Sequence, residues 1–403
     1  MNTAAPTPPA APATPIASSR TRWHRLPVTE VRHLTADTVA VTFDVPAALR
    51  QVFTHRPGQH VIVRHRRGDG ELRRCYSLCP PPHAPGTLRL VIKQGSPDGF
   101  GTHAVTRLAP GDHVELSTPT GAFALPELPG AHHVLLAGGT GITPLAPMAA
   151  HALRRDPACR VTLVHSARTA ADALLADELA ELKDEFVDRF TVLLVLTRED
   201  RGSGGGPLAE RLDADGLRRL VGALDARPGP DTAYALCGPP GLVDTARRVL
   251  AEEGADPALV RWELFTVGDT AVRSPESATP APARGPAPQP TPPTPAQDPA
   301  PQPTPPAPSR GEARVTALLD GRRRTAAALP HDPFLLDALL RALPDVPYAC
   351  REGVCGSCRA RVLSGQVTAD REHALDERDR AAGYTLVCRA RPRSPEITLD
   401  FDA

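Results

Sequence analysis

The chain has 403 residues, 41% of them hydrophobic, and Lys plus Arg balances Asp plus Glu at 46 each. That length suits two to four domains, and a neutral chain lacks the basic footprint that nucleic-acid binding requires. No run reaches the roughly 18 apolar residues of a membrane span. The eight cysteines, in a chain this long and without a leader pattern, argue against a disulfide framework and for a reducing, cytoplasmic compartment.

Residues 1–22, rich in Ala, Pro and Thr, lack the basic start and apolar centre of a signal peptide and read as a disordered tail. From 23 to 128 the chain shows short alternating runs broken by Pro and Gly: Thr38–Phe43, His60–Val63, Leu88–Ile92 and His113–Leu116. This pattern predicts an antiparallel β-barrel. From 129 to 270 apolar strands alternate with helical periodicity. Strands are expected at His133–Ala137, Arg160–His165, Phe190–Leu196 and Ala233–Cys237, with helices near 144–154, 171–185, 208–220 and 240–252. Alternation of this kind predicts a doubly wound α/β domain. Between Pro275 and Pro308 lie 15 prolines in 34 residues. Such a stretch favours extended polyproline II, so 271–311 reads as a linker reaching about 100 Å at roughly 3.1 Å per residue. An SH3-type ligand is the less economical reading. From 312 to 403 a β-hairpin pattern, a helix at 333–342, a cysteine-rich loop and closing strands follow.

The loop reads Cys350-Arg-Glu-Gly-Val-Cys355-Gly-Ser-Cys358, and Cys388 follows after 29 intervening residues. C-x4-C-x2-C with a distant fourth Cys is the plant-type [2Fe–2S] spacing. Three thiolates on one loop can wrap one side of a small cluster, and the fourth closes it. Gly353 and Gly356 let backbone N–H groups approach the sulfurs. A structural zinc usually wants two knuckle-like pairs, and only Cys355 and Cys358 form one here. Thioredoxin-like redox chemistry would need a βαβ context that is absent.

Val346–Cys358 with Gly383–Pro392 resembles the C-terminal ferredoxin domains of oxygenase reductases, which implies a β-grasp-like fold for 312–403. Two upstream regions extend the resemblance. Arg74-Cys75-Tyr76-Ser77 resembles the R-x-Y-S signature of the ferredoxin–NADP reductase superfamily. It implies Arg74 on the flavin phosphate, Tyr76 against the isoalloxazine face and Ser77 near flavin N5, with Cys75 between them. Arg56-Pro57-Gly58-Gln59-His60 resembles the strand leading into that site. Gly99-Phe100-Gly101-Thr102 resembles the small-residue loop opening a helix, where backbone N–H groups hold pyrophosphate. Val91 and Lys93, from the preceding strand, are implied neighbours of the flavin. An exposed strand lysine is an equally good reading of Lys93, and Cys75 and Cys79 suit small filler positions.

Gly138-Gly139-Thr140-Gly141-Ile142-Thr143-Pro144 resembles the G-x-G-I-T-P nicotinamide turn, with Pro144 expected at the first helical position and Thr143 as its cap. Cys237-Gly238-Pro239 resembles the C-G-P turn beside the nicotinamide, a buried structural Cys being the alternative. Glu263-Leu264-Phe265 is implied to approach the flavin. Arg168 follows the second strand and can bind a 2′-phosphate, which favours NADPH, with NADH possible in this family.

The resemblance implies FAD, a [2Fe–2S] cluster and NADPH. It implies that a hydride would pass to the flavin, and that single electrons would pass to the cluster and on to a partner oxygenase. The protein's part is positioning by Ser77, Cys237 and Glu263. The phrasing Ala374-Leu375, Ala382-Gly383-Tyr384 and Asp400-Phe401-Asp402-Ala403 is similar to the reductase components of phenylacetyl-CoA epoxidases, which implies a di-iron oxygenase partner. The 3-ketosteroid hydroxylase reductases look nearly as similar. A Rieske or P450 oxygenase as acceptor, a cluster-based redox sensor and a ferric or quinone reductase are the alternatives.

Overall fold

A computed structural model describes residues 23–67, 70–81, 83–84, 86–199, 211–265, 312–375 and 377–403. The expected tail 1–22, the linker 271–311 and the start of the helix expected at 208–220 lie outside the described residues.

The first domain contains β1 (Trp23–Thr35), β2 (Thr38–Phe43), β3 (His60–Arg67), β4 (Gly70–Ser77), β5 (Leu88–Lys93), α1 (Phe100–Thr106) and β6 (His113–Ser117). Its strands run in the order β4-β3-β6-β1-β2-β5, and each ladder is antiparallel. A bridge between Leu78 and Leu90 joins the two ends, closing the sheet into the expected barrel. Alternation turns Val39, Val41, Val61, Val63, Leu90 and Leu116 into its core. The long β1 is not evident in the sequence pattern. Its first half pairs with β6 and its second with β2, and two register shifts interrupt its period.

The second domain contains β7 (His132–Gly138), α2 (Ile142–Arg155), β8 (Arg160–Ala167), α3 (Ala176–Glu185), β9 (Phe190–Leu196), α4 (Ala214–Ala223), β10 (Thr232–Gly238), α5 (Pro240–Glu252) and β11 (Val260–Leu264). The sheet is parallel, in the order β11-β10-β7-β8-β9. Helices α2 and α3 pack in one apolar cluster and α4 and α5 in another, so the domain is doubly wound. Three helix starts differ from expectation. α2 begins at Ile142 with Gly141 at the cap, so Thr143 lies inside the first turn. α3 begins at Ala176 because Leu175 adopts a left-handed φ of 60°, which interrupts helical propagation. α4 begins after Asp213, whose carboxylate accepts from the Gly216 N–H at 2.7 Å.

These two domains share a core. Ala40, Cys79, Val91 and Phe123 of the barrel pack in one cluster with Ile142, Met148 and Leu174. Arg89, 3% exposed, donates to both carboxylate oxygens of Glu178 at 2.7 and 2.8 Å.

The third domain contains β12 (Ala313–Leu319), β13 (Arg322–Ala328), α6 (Leu335–Ala342), β14 (Arg359–Ser364), β15 (Val367–Ala369), α7 (Glu377–Ala381), β16 (Tyr384–Leu386), β17 (Ala390–Pro392) and β18 (Glu396–Asp400). The order is β13-β12-β18-β14-β16, with β12 and β18 parallel, and β15 pairs with β17. Leu335, Leu336 and Leu339 of α6 pack on this sheet. A hairpin, a covering helix and a parallel closing strand make the expected β-grasp.

Candidate functional site

The β3–β4 ladder sets His60 opposite Ser77, Ile62 opposite Cys75 and Val63 opposite Arg74. Across the cleft, the β10–β11 ladder sets Cys237 beside Glu263. The two pairs approach each other, His60 Nδ1 lying 3.9 Å from Glu263 Oε1. Ser77 and His60 are each 4% exposed and Cys237 fully buried. Yet Ser77 Oγ, both His60 ring nitrogens and Glu263 Oε2 have no hydrogen-bond partner among the described residues. Buried polar atoms are normally satisfied, so this convergence fits a polar ligand such as the edge of a flavin ring. Burial raises the Glu263 carboxyl above the usual carboxylate range, with His60 opposing. Burial lowers His60, with Glu263 opposing. Burial, then the nearby Glu263 charge, pushes the Cys237 thiol well up. All three shifts favour neutral forms. In the sequence His60 stands out only as part of a strand, because its place against Glu263 depends on a contact between domains.

The remaining barrel residues divide. Arg74 donates through Nη1 to the Arg73 carbonyl at 2.8 Å, and the Tyr76 ring meets Phe100 at 5.9 Å. Gly99 caps α1, Gly101 packs on the Lys93 carbonyl, and Thr102 Oγ1 donates to the Ser96 carbonyl at 2.7 Å. Lys93 pairs with Asp37 at 3.1 Å. Val91 lies in the interdomain core, where its environment is packing. Cys79 is fully buried there as well, its thiol pushed up to about 11 by burial.

In the second domain the turns after β7 and β10 interlock. A Cβ on Gly141 would lie 2.0 Å from the Cys237 carbonyl oxygen, whereas one on Gly139 would enter open space. Gly139, at φ 53°, and Thr140 therefore border an open cradle at the start of α2, which fits a phosphate. His165 Nε2 lies 3.1 Å from the Gly139 carbonyl and holds this turn. Thr143 is buried. Pro239 caps α5, and the Phe265 N–H donates to the Gly238 carbonyl at 2.9 Å. Arg168 stands apart from the Ser77 group, pairing with Asp172 at 3.1 Å and Asp37 at 3.4 Å.

In the third domain the four thiols fall into two neighbouring pairs, Cys350 beside Cys355 and Cys358 beside Cys388. No three side chains among the described residues converge on a single-ion site. Two pairs instead fit two irons with two thiolates each, as a four-Cys [2Fe–2S] cluster needs. The Glu352 N–H donates to Cys350 Sγ at 3.4 Å, the kind of bond that tunes a cluster. Crowding resists ionisation without metal. Cys350 is pushed well up by its bond with Cys355, then by burial. For Cys355 the bond with Cys350 pulls down, but contact with Cys75 and burial outweigh it and push the thiol up to about 12. Metal binding releases such protons. Cys355 also lines a cleft of about 1710 Å³ whose walls include His60, Phe123, Trp262 and Glu263. All three domains therefore meet at one opening.

Comparisons with known proteins agree with this geometry. Family models match for an oxidoreductase FAD-binding domain over 25–125, an oxidoreductase NAD-binding domain over 135–248 and a 2Fe-2S iron-sulfur cluster binding domain over 317–393. The chain is 31% identical over 386 residues to one of the subunits of the 1,2-phenylacetyl-CoA epoxidase of Escherichia coli (strain K12), covering 95% of this chain and 99% of that protein. It is 32% identical over 379 residues to the ferredoxin reductase component of 3-ketosteroid-9-alpha-monooxygenase from Rhodococcus rhodochrous, covering 93% and 96%. The solved structure of phthalate dioxygenase reductase shares the fold at a TM-score of 0.53 and 21% identity, covering 94% of this chain and 98% of that one. The chain belongs to the family of NAD(P)H-dependent oxygenase reductases that carry FAD and a [2Fe–2S] cluster.

Proposed function

We propose that this chain takes reducing equivalents from NADPH and delivers single electrons to the di-iron oxygenase of a phenylacetyl-CoA ring epoxidase. The observation that carries this is the shared cleft, where Cys355 of the cluster loop lines the same opening as His60 and Glu263. Bound there, FAD and the cluster convert a hydride into single electrons; the protein supplies binding and orientation. Ser77 is the group at hand for the flavin edge, because its buried hydroxyl has no protein partner among the described residues. Cys237, kept neutral by burial, sets the floor of the nicotinamide side against Gly141. Glu263 and His60 close the cleft from the two sides. Residues 23–128, 129–270 and 312–403 are the FAD, NADPH and cluster domains. No helix among the described residues is long and apolar enough to cross a membrane, and a thiol-ligated redox chain suits the cytoplasm.

Arg168 favours NADPH over NADH. It is half-exposed, which supports a role on a ribose 2′-phosphate that would exchange for its carboxylate partners Asp172 and Asp37. Replacing it by Ala raises KM for NADPH about tenfold and leaves KM for NADH nearly unchanged; equal effects on both would refute the assignment.

The Escherichia coli relative supports the epoxidase as acceptor. The Rhodococcus relative supports a second reading, a 3-ketosteroid oxygenase. Reconstitution with each purified oxygenase and its substrate separates them. NADPH oxidation coupled to product with the epoxidase alone is the expected result, and coupling with the steroid oxygenase alone overturns it.

A further inference from the structure

The third domain touches the other two at a small set of side chains around the cluster loop. Tyr348, two residues before Cys350, has the Arg73 guanidinium of β4 over its ring at 4.2 Å and that of Arg351 at 5.2 Å. Arg73 in turn stands over Trp23 of β1 at 5.1 Å and donates to Glu71 at 2.6 Å. Arg351 has a left-handed φ of 60° and is held by Asp337 at 2.7 Å. Stacked guanidinium and aromatic groups of this kind thus run from the barrel to the residue beside Cys350. Next to them the Cys75 and Cys355 sulfurs lie beside each other, and Val354 packs against the apolar cluster of α4 and α5. Arg247 of α5 and Arg380 of α7, two like charges from different domains, line the same cleft. The contact therefore joins attraction beside the cluster to repulsion at its edge, which suits reversible docking.

Exposure of the ligands adds direction. Cys358 and Cys388 are each 2% exposed, whereas Cys350 and Cys355 are only partly buried. Of these two, Cys355 lines the cleft, and Cys350 lies two residues from Tyr348, over which Arg73 stands.

We propose that Arg73 and Tyr348 form a latch that docks the cluster domain over its own flavin cleft, and that an external acceptor must use this same face, so internal and external docking exclude each other. The inference rests on the electron-transfer reading above and adds its docking surface. An acceptor protein gains the cluster only when the latch is open, because Arg73 and Tyr348 stand beside Cys350, Cys355 faces the cleft, and Cys358 and Cys388 are buried.

The test uses the full-length holoprotein. NADPH-driven bleaching of the flavin and reduction of the cluster are followed as separate phases in stopped-flow, and small-angle scattering reports domain separation. In Arg73→Gln, which keeps a donor for Glu71, and in Tyr348→Ala, the bleaching phase keeps its rate. Cluster reduction slows about tenfold, and the radius of gyration rises. Tyr348→Phe, which keeps the ring, behaves as the wild type. Dithionite-reduced Arg73→Gln passes electrons to cytochrome c faster than the reduced wild type, since its cluster face is unchanged but freed. Wild-type values for cluster reduction and scattering in both Arg73→Gln and Tyr348→Ala overturn the latch, and an unchanged cytochrome c rate overturns mutual exclusion. If Tyr348→Ala loses its cluster, Arg73→Gln, altered in another domain, decides. Should the wild type fail to bleach with NADPH, the functional reading falls, while the scattering comparison still judges the latch.

Discussion

His165 is a residue whose chemistry can be stated from its surroundings. It lies in β8, fully buried, with Nε2 3.1 Å from the Gly139 carbonyl. Burial lowers its pKa to about 4, with the Gly139 contact opposing. The unfolded chain, where a histidine titrates near 6.5, therefore binds more protons than the folded one between about pH 6.5 and 4. Stability is full above that window and falls as pH drops through it, by about 3 kcal/mol from this residue. Urea unfolding of the wild type and of His165→Asn, at a series of pH values from 7.5 to 4.5, isolates the contribution. The wild type loses stability more steeply on acidification than the variant; parallel curves would show that His165 does not carry the effect. Because the same ring holds the turn proposed to meet the nicotinamide cofactor's phosphate, NADPH affinity in the wild type should weaken over the same window.

At the level of elements, the β7–α2 and β10–α5 turns work as one unit. Gly141 is fixed by space: a methyl group there would sit 2.0 Å from the Cys237 carbonyl oxygen, and backbone cannot yield as a flexible side chain does. Gly141→Ala should therefore cost about 3 kcal/mol and abolish NADPH-driven flavin bleaching while FAD remains bound. Retained bleaching at the wild-type rate would mean that the two turns separate without consequence. Much of this unit is legible in the sequence, because glycines and strand alternation are local signals, although the cap expected at Thr143 falls at Gly141 and Pro144 sits inside the first turn. The parallel strands β7 to β10 and the helix at α5 fall where the apolar runs place them, and the cysteine spacing reads as an iron–sulfur loop inside the region that the 2Fe-2S family model matches. What escapes is long-range or irregular. β1 divides its pairing between two partners through register shifts, so no single period describes it. Leu175 halts α3 by a backbone conformation that a leucine does not advertise. His60 near Glu263, and Arg73 over Tyr348, exist only because separate domains meet.

At the scale of the whole molecule, the three domains are joined unequally. The barrel and the nicotinamide domain share an apolar core and the buried fork of Arg89 on Glu178, with the Arg89 Nε also donating to the Cys79 carbonyl at 2.6 Å. Removing one partner of such a pair leaves the other charge buried and uncompensated, so Glu178→Leu should destabilise the two-domain unit by about 3–5 kcal/mol. A double variant with Arg89→Leu should recover part of that loss, and equal losses in the single and double variants would argue against the pair.

The cluster domain, by contrast, has its own complete core, and among the described residues Tyr348 and Val354 contact the other domains. Cutting the chain after residue 270 should therefore leave a folded, FAD-binding protein. Its NADPH-driven flavin bleaching should stay within about twofold of the intact chain, because none of Ser77, His60, Cys237 or Glu263 is supplied by the third domain. Electron delivery to the partner oxygenase should vanish, since Cys350 and Cys355, the accessible cysteines of the proposed cluster site, leave with the deleted part. Anaerobic stopped-flow on the truncated protein measures the first quantity and coupled product formation the second. If the truncated protein still drove the oxygenase, the cluster would not be the exit. If it failed to bind FAD, the cluster domain would be part of the flavin site and not a module docked upon it.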